Sequence, residues 1–98
     1  MVDNFFYPHK LYLKVGDNFV FQKECQDQPN KGNGTITTPD RVNYIFKSLI
    51  FIPNDQVLRF KPGQEIQVVG NNGEVRITGT VARFAFDDQS LDVNRLWI

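Results

Sequence analysis

Few residues in this chain are able to carry out acid–base, nucleophilic or metal chemistry. His9 is the only histidine and Cys25 the only cysteine among 98 residues. A zinc site needs several His or Cys ligands at characteristic spacings, which one residue of each type cannot supply. A nucleophilic system would need His9 as the base for Cys25 or for a serine, and no activating motif accompanies them. We therefore expect no catalytic or metal site at these residues.

Two further clusters have a possible chemical meaning and a simpler structural one. Asp87, Asp88 and Asp92 lack the spacing and the glycine of an EF-hand loop, which favours a solvated turn over a cation site. The Gly-Asn-Asn-Gly sequence at 70–73 lacks the Lys-Ser or Lys-Thr of a phosphate loop and precedes a strand. The sequence thus predicts that the protein is not an enzyme and has no cofactor.

A local basic patch is the remaining candidate. Arg41, Arg59 and Lys61 could lie together near the rim of a barrel, and Phe60 could stack on a base there. The alternative, which we favour, places Phe60 in the core and leaves the charges in solvent. The eleven Lys and Arg balance the eleven Asp and Glu, and a dedicated nucleic-acid binder usually has a basic excess.

Length and composition predict one domain over residues 1–98 with a single core. One cysteine allows no internal disulfide, which indicates a reducing compartment. The first residues lack the basic start and apolar run of a signal peptide, and no window approaches the roughly 20 apolar residues that cross a bilayer. We expect a soluble protein with no membrane contact.

The elements that would position any site are predicted to be strands. Residues alternate between apolar and polar, and turn sequences interrupt them at Gly16-Asp17, Pro62-Gly63 and 70–73. The inward set of the strand after 73 changes parity near Gly79, where a bulge or bend would help a barrel to close; this set is Val75, Ile77 and Val81, then Ala82, Phe84 and Phe86. The predicted fold is mainly β: a small single-domain antiparallel β-barrel or sandwich with a long polar loop.

That loop is expected over residues 24–34, where E-C-Q-D-Q-P-N-K-G-N-G contains almost no apolar side chain. Polar loops of this length in small domains are often functional. The alternative is a disordered hairpin tip. Its candidate channel or interaction residues are Gln26, Asp27, Gln28, Asn30, Lys31 and Asn33.

Aromatic residues indicate where another subunit could bind. The chain has nine Phe, three Tyr and one Trp, and aromatic residues are enriched at interfaces. An N-terminal segment over 1–9 would pack on its own barrel or on a neighbour. The candidate interface aromatics are Phe5, Phe6, Tyr7 and Trp97.

The segment 37–52 fits both a helix and a strand. Thr38-Pro39-Asp40 has the capping hydroxyl, proline and acid of a helix start. Alternation and the many β-branched and aromatic residues favour a strand that ends before Pro53. We favour the strand, with 39–48 as its ambiguous part.

Four short motifs occur in a familiar order. They are Leu-Ile-Phe-Ile-Pro at 49–53, Lys-Pro-Gly-Gln-Glu-Ile at 61–66, Gly-Thr-Val at 79–81 and Leu-Trp-Ile at 96–98. With the glycine hairpin between the second and the third, this half of the chain resembles the small head-closure proteins of tailed bacteriophages, also called stoppers or head–tail connectors.

The resemblance implies a structural virion protein, a β-barrel subunit that forms a ring below the portal after DNA packaging and retains the genome. Its partners would be other copies of itself, a portal or adaptor protein and a tail-completion protein, with non-specific contact to packaged DNA. It would be made in the bacterial host cytoplasm and would reside in the virion neck. The 24–34 loop would project toward the channel.

Two other functions suit the same barrel. One is an interaction protein, such as a phage inhibitor of a host protein, which uses the barrel as a rigid binding surface. The other is a single-stranded nucleic-acid-binding barrel of the oligonucleotide-binding or SH3-like type.

Overall fold

The computed structural model of the protein describes residues 7–32, 34–37, 43–53, 59–85 and 93–98. Within these ranges the chain is mainly β and contains no helix, which confirms the predicted fold class. The nine strands are β1 (His9–Val15), β2 (Asn18–Pro29), β3 (Thr35–Thr37), β4 (Asn43–Ile45), β5 (Ser48–Pro53), β6 (Glu65–Val69), β7 (Val75–Thr80), β8 (Arg83–Ala85) and β9 (Val93–Trp97).

Seven strands form one antiparallel sheet in the order β7-β6-β1-β2-β5-β9-β8, and β3 pairs with β4 in a separate small sheet. The two edge strands of the large sheet, β7 and β8, are separated in the chain by only Val81 and Ala82. A flat sheet of seven strands would place its edges roughly 29 Å apart, because neighbouring strands lie about 4.8 Å apart. Two residues cannot span that distance, so the sheet must curl until its edges meet.

The backbone hydrogen bonds at this junction show how the barrel closes. Val81 N donates to Gln64 O (2.8 Å), which extends the β6–β7 ladder. The next residue, Ala82, donates its N–H to Trp97 O (2.7 Å) and begins the pairing with β9. One bent strand from β7 to β8 thus joins the two edges of the sheet, at the place where the change of parity predicts a bend.

Gly79 lies at a close approach beside this bend. A Cβ at position 79 would lie 3.0 Å from Ile98 Cδ1 and 3.3 Å from Ile98 Cβ. Ile98 is fully buried, so it has little space into which to retreat. A side chain at this position would push β7 away from the C-terminal end of β9.

The core fills the interior of this barrel. Seven of its members lie on β1, β2, β5, β6 and β9, and three lie outside the strands. The strand members are Leu11, Cys25, Ile50, Ile52, Ile66, Val68 and Leu96, and the others are Phe60, Val81 and Ile98. Phe60 is 4% exposed and packs edge-to-face on Phe84 with ring centroids 5.6 Å apart, so the interpretation of Phe60 as a core residue is confirmed. The expectation that Val75 points inward is wrong, because its side chain is 53% exposed.

The predicted turns are confirmed where the structure describes them. Gly63 has φ +95°, and Gln64 N donates to Lys61 O (3.2 Å) across the Pro-Gly turn. Gly73 has φ +85° in the β6–β7 hairpin, and its N–H donates to Gly70 O (3.0 Å). Both turns use a backbone conformation that residues with a Cβ rarely adopt. The turn expected at 87–90 lies outside the described residues.

The long loop expected over residues 24–34 is wrong for most of its length. β2 continues to Pro29, pairing first with β1 as far as Cys25 and then with β5 from Gln26 onward. Cys25 and Asp27 are buried, whereas Gln28 is exposed. The segment does alternate between the two faces of a strand, but its inward residues are not aliphatic. Its composition therefore resembles that of a polar loop.

The ambiguous segment is extended wherever the structure describes it. β4 and β5 cover Asn43–Ile45 and Ser48–Pro53, which confirms the strand interpretation there. The possible helix start at 38–40 lies outside the described residues. β3 and β4 form a hairpin inserted between β2 and β5, and Asn30 Nδ2 secures its base by donating to Gly34 O (2.9 Å) and Phe46 O (2.8 Å).

We expect Gly79→Ala to lower the free energy of unfolding by about 1–3 kcal/mol, as overpacking of a filled core does. Urea denaturation measures the loss. Gly32→Ala is the matched control, since no atom lies within 4 Å of a Cβ placed there. Ile98→Val, which removes the atom in closest approach, should recover part of the loss in the double variant. Equal stability of G79A and G32A would contradict this account of barrel closure.

Candidate functional site

The candidate residues predicted from the 24–34 segment lie in different environments. Asp27 points into the barrel, while Gln26 and Gln28 point to the outer face of the sheet. Asn30 binds the base of the β3–β4 hairpin, and Lys31 is exposed. Asn33 lies outside the described residues. The segment therefore does not form one projecting site but contributes to an interior cluster and to an outer surface.

The interior cluster is ionic and centres on Asp27, whose side chain is 2% exposed. Asp27 Oδ1 lies 2.8 Å from His9 Nδ1 and 2.7 Å from Arg76 Nε. A buried carboxylate is costly unless it is paired and hydrogen-bonded, and these two contacts provide that compensation. The cluster joins β1, β2 and β7, and so ties together three strands at one end of the barrel.

Arg76 reaches Asp27 because of a bulge in β7. Val68 pairs with Ile77 and Val69 with Val75, which leaves Arg76 as an extra residue in the ladder. A bulge can re-aim a side chain in this way. In a flat sheet β7 and β2 would lie roughly 14 Å apart, with β6 and β1 between them, so the curvature of the barrel is also required.

The protonation of His9 follows from this geometry. Burial lowers the pKa of His9 below its ordinary 6.5, Arg76 lowers it further, and Asp27 opposes both. The neutral imidazole fits the 2.8 Å contact by donating Nδ1–H to the carboxylate. The 3.4 Å approach of Asp27 N–H to the same Nδ1 would need the other tautomer, and we assign the proton from the much shorter contact.

Cys25 lies beside this cluster, directly across the ladder from His9. The structure thus brings together a thiol, an imidazole and a carboxylate. However, Cys25 is fully buried, and burial, reinforced by the charge of Asp27, raises the pKa of its thiol to about 12. A nucleophile must be a thiolate with access to substrate, so this arrangement does not activate Cys25.

The outer surface is formed by two rows of side chains across β2, β5, β9 and β8, which we call the outer platform. In each row neighbours are directly paired across the ladder and therefore share a face. The rows are Gln26–Phe51–Arg95–Ala85 and Gln28–Leu49–Trp97–Arg83. The row between them, Asp27–Ile50–Leu96–Phe84, points into the barrel.

A groove of about 250 Å³ lies on the β2–β5 side of the outer platform. Gln26, Gln28 and Phe51 line it from the platform, and Tyr7 and Val93 complete it. Three residues singled out in the sequence, Tyr7, Gln26 and Gln28, are therefore brought together. Phe5 and Phe6 lie outside the described residues.

Trp97 lies on the outer platform but is only 9% exposed. The guanidinium carbons of Arg83 and Arg95 lie 5.3 Å and 5.7 Å from the centroid of its ring system, within cation–π range. The two side chains cover the indole, and the indole in turn holds both guanidinium groups on the surface. Contact of Tyr7 or Trp97 with another subunit stays a prediction.

Sequence reasoning missed Arg76, Arg83, Arg95 and Phe51. Alternation along β9 puts Arg95 and Trp97 on one face, and this signal was available. The sequence gives no signal for the pairing of β9 with both β5 and β8, since that pairing depends on how the barrel closes. Of the basic patch, Arg59 and Lys61 are exposed, Phe60 is buried, and Arg41 lies outside the described residues.

The chain matches no protein-family model, no curated protein and no solved structure. The resemblance to head-closure proteins therefore stays a prediction. Among the described residues, no helix is long and apolar enough to cross a membrane, and no three His, Cys, Asp or Glu side chains are grouped to hold a metal ion.

We expect the stability of the fold to decrease as the pH falls below 6.5, the ordinary pKa of histidine. The folded-state pKa of His9 is the lower one, so the unfolded chain takes up the proton first and is favoured in that window. Urea midpoints across this range measure the effect. His9→Asn keeps an N–H donor but does not titrate, so its midpoint should change less; an equally steep change would contradict the role of His9.

We expect the Cys25 thiol to react slowly with Ellman's reagent in the native protein and rapidly in urea, because the thiolate is scarce and buried. The time course at neutral pH measures both rates. Cys25→Ser should abolish the signal. Native reactivity as fast as that of the unfolded chain would show that the strand around Cys25 opens readily, contrary to the buried position described above.

Proposed function

We propose that the chain is a structural subunit that assembles with other proteins through projecting hairpins, of the head-closure type that its sequence resembles. The observation that carries the proposal is the β1–β2 hairpin, which extends past the barrel. β6 pairs with β1 only at Lys10–Leu13, and β5 pairs with β2 only from Gln26 onward. Residues 14–25 form no backbone ladder with a third described strand, and the ion pair of Lys14 Nζ with Glu65 Oε2 (3.5 Å) links this tip to β6.

This tip exposes apolar side chains on both faces of the hairpin, with Val15 and Val20 on one face and Phe21 on the other. Val15 is 56% exposed, and Val20 and Phe21 are each 46% exposed. Tyr12 packs edge-to-face on Phe21 with ring centroids 5.7 Å apart, which holds the ring in place. Burying such side chains stabilises a complex by about 1.5–3 kcal/mol each at most, and apolar side chains exposed on both faces of a projecting hairpin suit contact with another protein.

The β3–β4 hairpin supports the proposal from the other end of the molecule. β2 has 12 residues and so spans roughly 40 Å, and the longest dimension of the protein is 43 Å. The β1–β2 turn lies at one end of this strand and the β3–β4 hairpin follows the other, with Ile45 58% exposed. Two different projecting surfaces suit the heterologous contact between subunits of a ring.

In this role, the subunits would form a ring between a portal or adaptor protein and a tail-completion protein in the virion neck. The ring would retain packaged DNA, touching it without sequence preference. An inhibitor of a host protein would use the same barrel as a monomer, so the assembly state distinguishes the two functions.

We expect Phe21→Lys to weaken association because it places a charge in the apolar tip. Sedimentation velocity over a range of concentrations, alone and with a portal ring, measures the change. Val75→Lys is the matched control, since Val75 is similarly exposed but lies on β7. If both variants associate as strongly as the wild-type protein does, the hairpin tip is not the contact surface.

The connector role itself is tested in particles. Electron microscopy of virions assembled without the chain should reveal heads that have lost their DNA or lack tails. Heads that keep the genome and join tails normally would overturn the proposed function. A monomer that binds one host protein with high affinity would favour the inhibitor.

A further inference from the structure

We propose that the outer platform binds a single strand of nucleic acid, with Arg83 and Arg95 on its phosphates and a base in the groove beside Phe51. This site goes beyond the proposed assembly role and uses a different surface from the hairpin tips.

The charge of the platform is the first argument. Arg83 and Arg95 are exposed, and neither forms an ion pair with any residue in the described ranges. Their ladder neighbours Trp97, Phe51 and Ala85 are uncharged, and neither row contains a carboxylate. The two arginines are therefore the only charged residues of the two rows, and both are positive. A polyanion complements them.

The spacing of the two cations is the second argument. Arg83 is directly opposite Trp97, and Arg95 lies two residues earlier on the same strand. The Cα atoms of such diagonal neighbours are roughly 7–8 Å apart. With this backbone spacing, each guanidinium can bind a different phosphate of an extended strand. Stacking on the indole of Trp97 holds both groups before the ligand arrives, so less side-chain freedom is lost on binding.

The groove supplies the contacts to a base. Its volume of about 250 Å³ lies below the range of about 300–1,000 Å³ typical of sites for drug-sized ligands, which suits one planar ring system. Phe51 is directly opposite both Gln26 and Arg95, so a base stacked on its ring would lie between an amide and a cation. Gln26 and Gln28 carry the donors and acceptors that pair with base edges.

A single strand fits these features better than a duplex or an acidic peptide. Stacking on Phe51 needs an unpaired base, and successive bases on aromatic side chains with a cationic path for the backbone are the usual features of single-strand sites. An acidic peptide would satisfy the arginines but would leave the aromatic wall of the groove without a planar partner.

The test is fluorescence anisotropy of a labelled oligothymidine at low salt, with titrations repeated as salt increases. We expect binding whose affinity falls with salt. The double variant R83Q/R95Q should bind roughly tenfold more weakly, with a salt slope smaller by about 0.7 for each lost phosphate contact. Phe51→Leu should bind more weakly with an unchanged slope, since it removes stacking and keeps the apolar volume. Trp97, the only tryptophan, should report binding by a change in its own fluorescence.

The matched control is K10Q/K31Q, which removes the same charge from exposed positions off the platform. It should bind like wild type, and circular dichroism and urea midpoints should confirm that every variant is folded. No binding at low salt, or equal losses in K10Q/K31Q and R83Q/R95Q, would overturn the proposal. Equally tight binding of a duplex would contradict the single-strand assignment. Loss of self-association in R83Q/R95Q without loss of oligothymidine binding would make the platform a protein interface instead.

Because the hairpin tips and the platform are separate, the two proposals can fail independently. F21K should alter sedimentation and leave anisotropy unchanged, and R83Q/R95Q should do the reverse.

Discussion

The closure of the sheet at Val81 and Ala82 is the constraint on which the rest of this molecule depends. Consecutive residues there bond to strands on opposite sides, Val81 to Gln64 and Ala82 to Trp97. Closure brings the two edges of a seven-stranded sheet together and encloses the aliphatic core. Each of these two strands still pairs with one neighbour only, β7 with β6 and β8 with β9.

The ionic cluster depends on the same curvature. Asp27 and Arg76 belong to strands that are not neighbours, and they meet only because the sheet wraps around and a bulge turns Arg76 toward Asp27. In return the pair fixes the relative position of β2 and β7. Replacing a buried ion pair by apolar residues is often neutral or stabilising, so the cluster is better understood as specifying the register of these strands than as a source of stability.

The sequence predicts the local part of this structure well. The Gly16-Asp17, Pro62-Gly63 and 70–73 turns and the bend after Gly79 depend on neighbouring residues, which single-sequence reasoning can assess. It fails for 24–29, because a strand whose inward residues are Cys25 and Asp27 has no apolar alternation. The partner that makes Asp27 tolerable is Arg76, 49 residues away. The outer platform could not be predicted from the sequence for a similar reason, since its rows combine four strands whose order is set by the closure of the sheet.

The length of β2 has a mechanical consequence. One uninterrupted strand leads from the first projecting hairpin, past the buried cluster, to the base of the second. Its backbone is held by a ladder to β1 as far as Cys25 and by a ladder to β5 from Gln26 onward, so it cannot shorten without breaking hydrogen bonds and acts as a strut. Force applied at one tip is therefore passed along this strand toward the opposite pole.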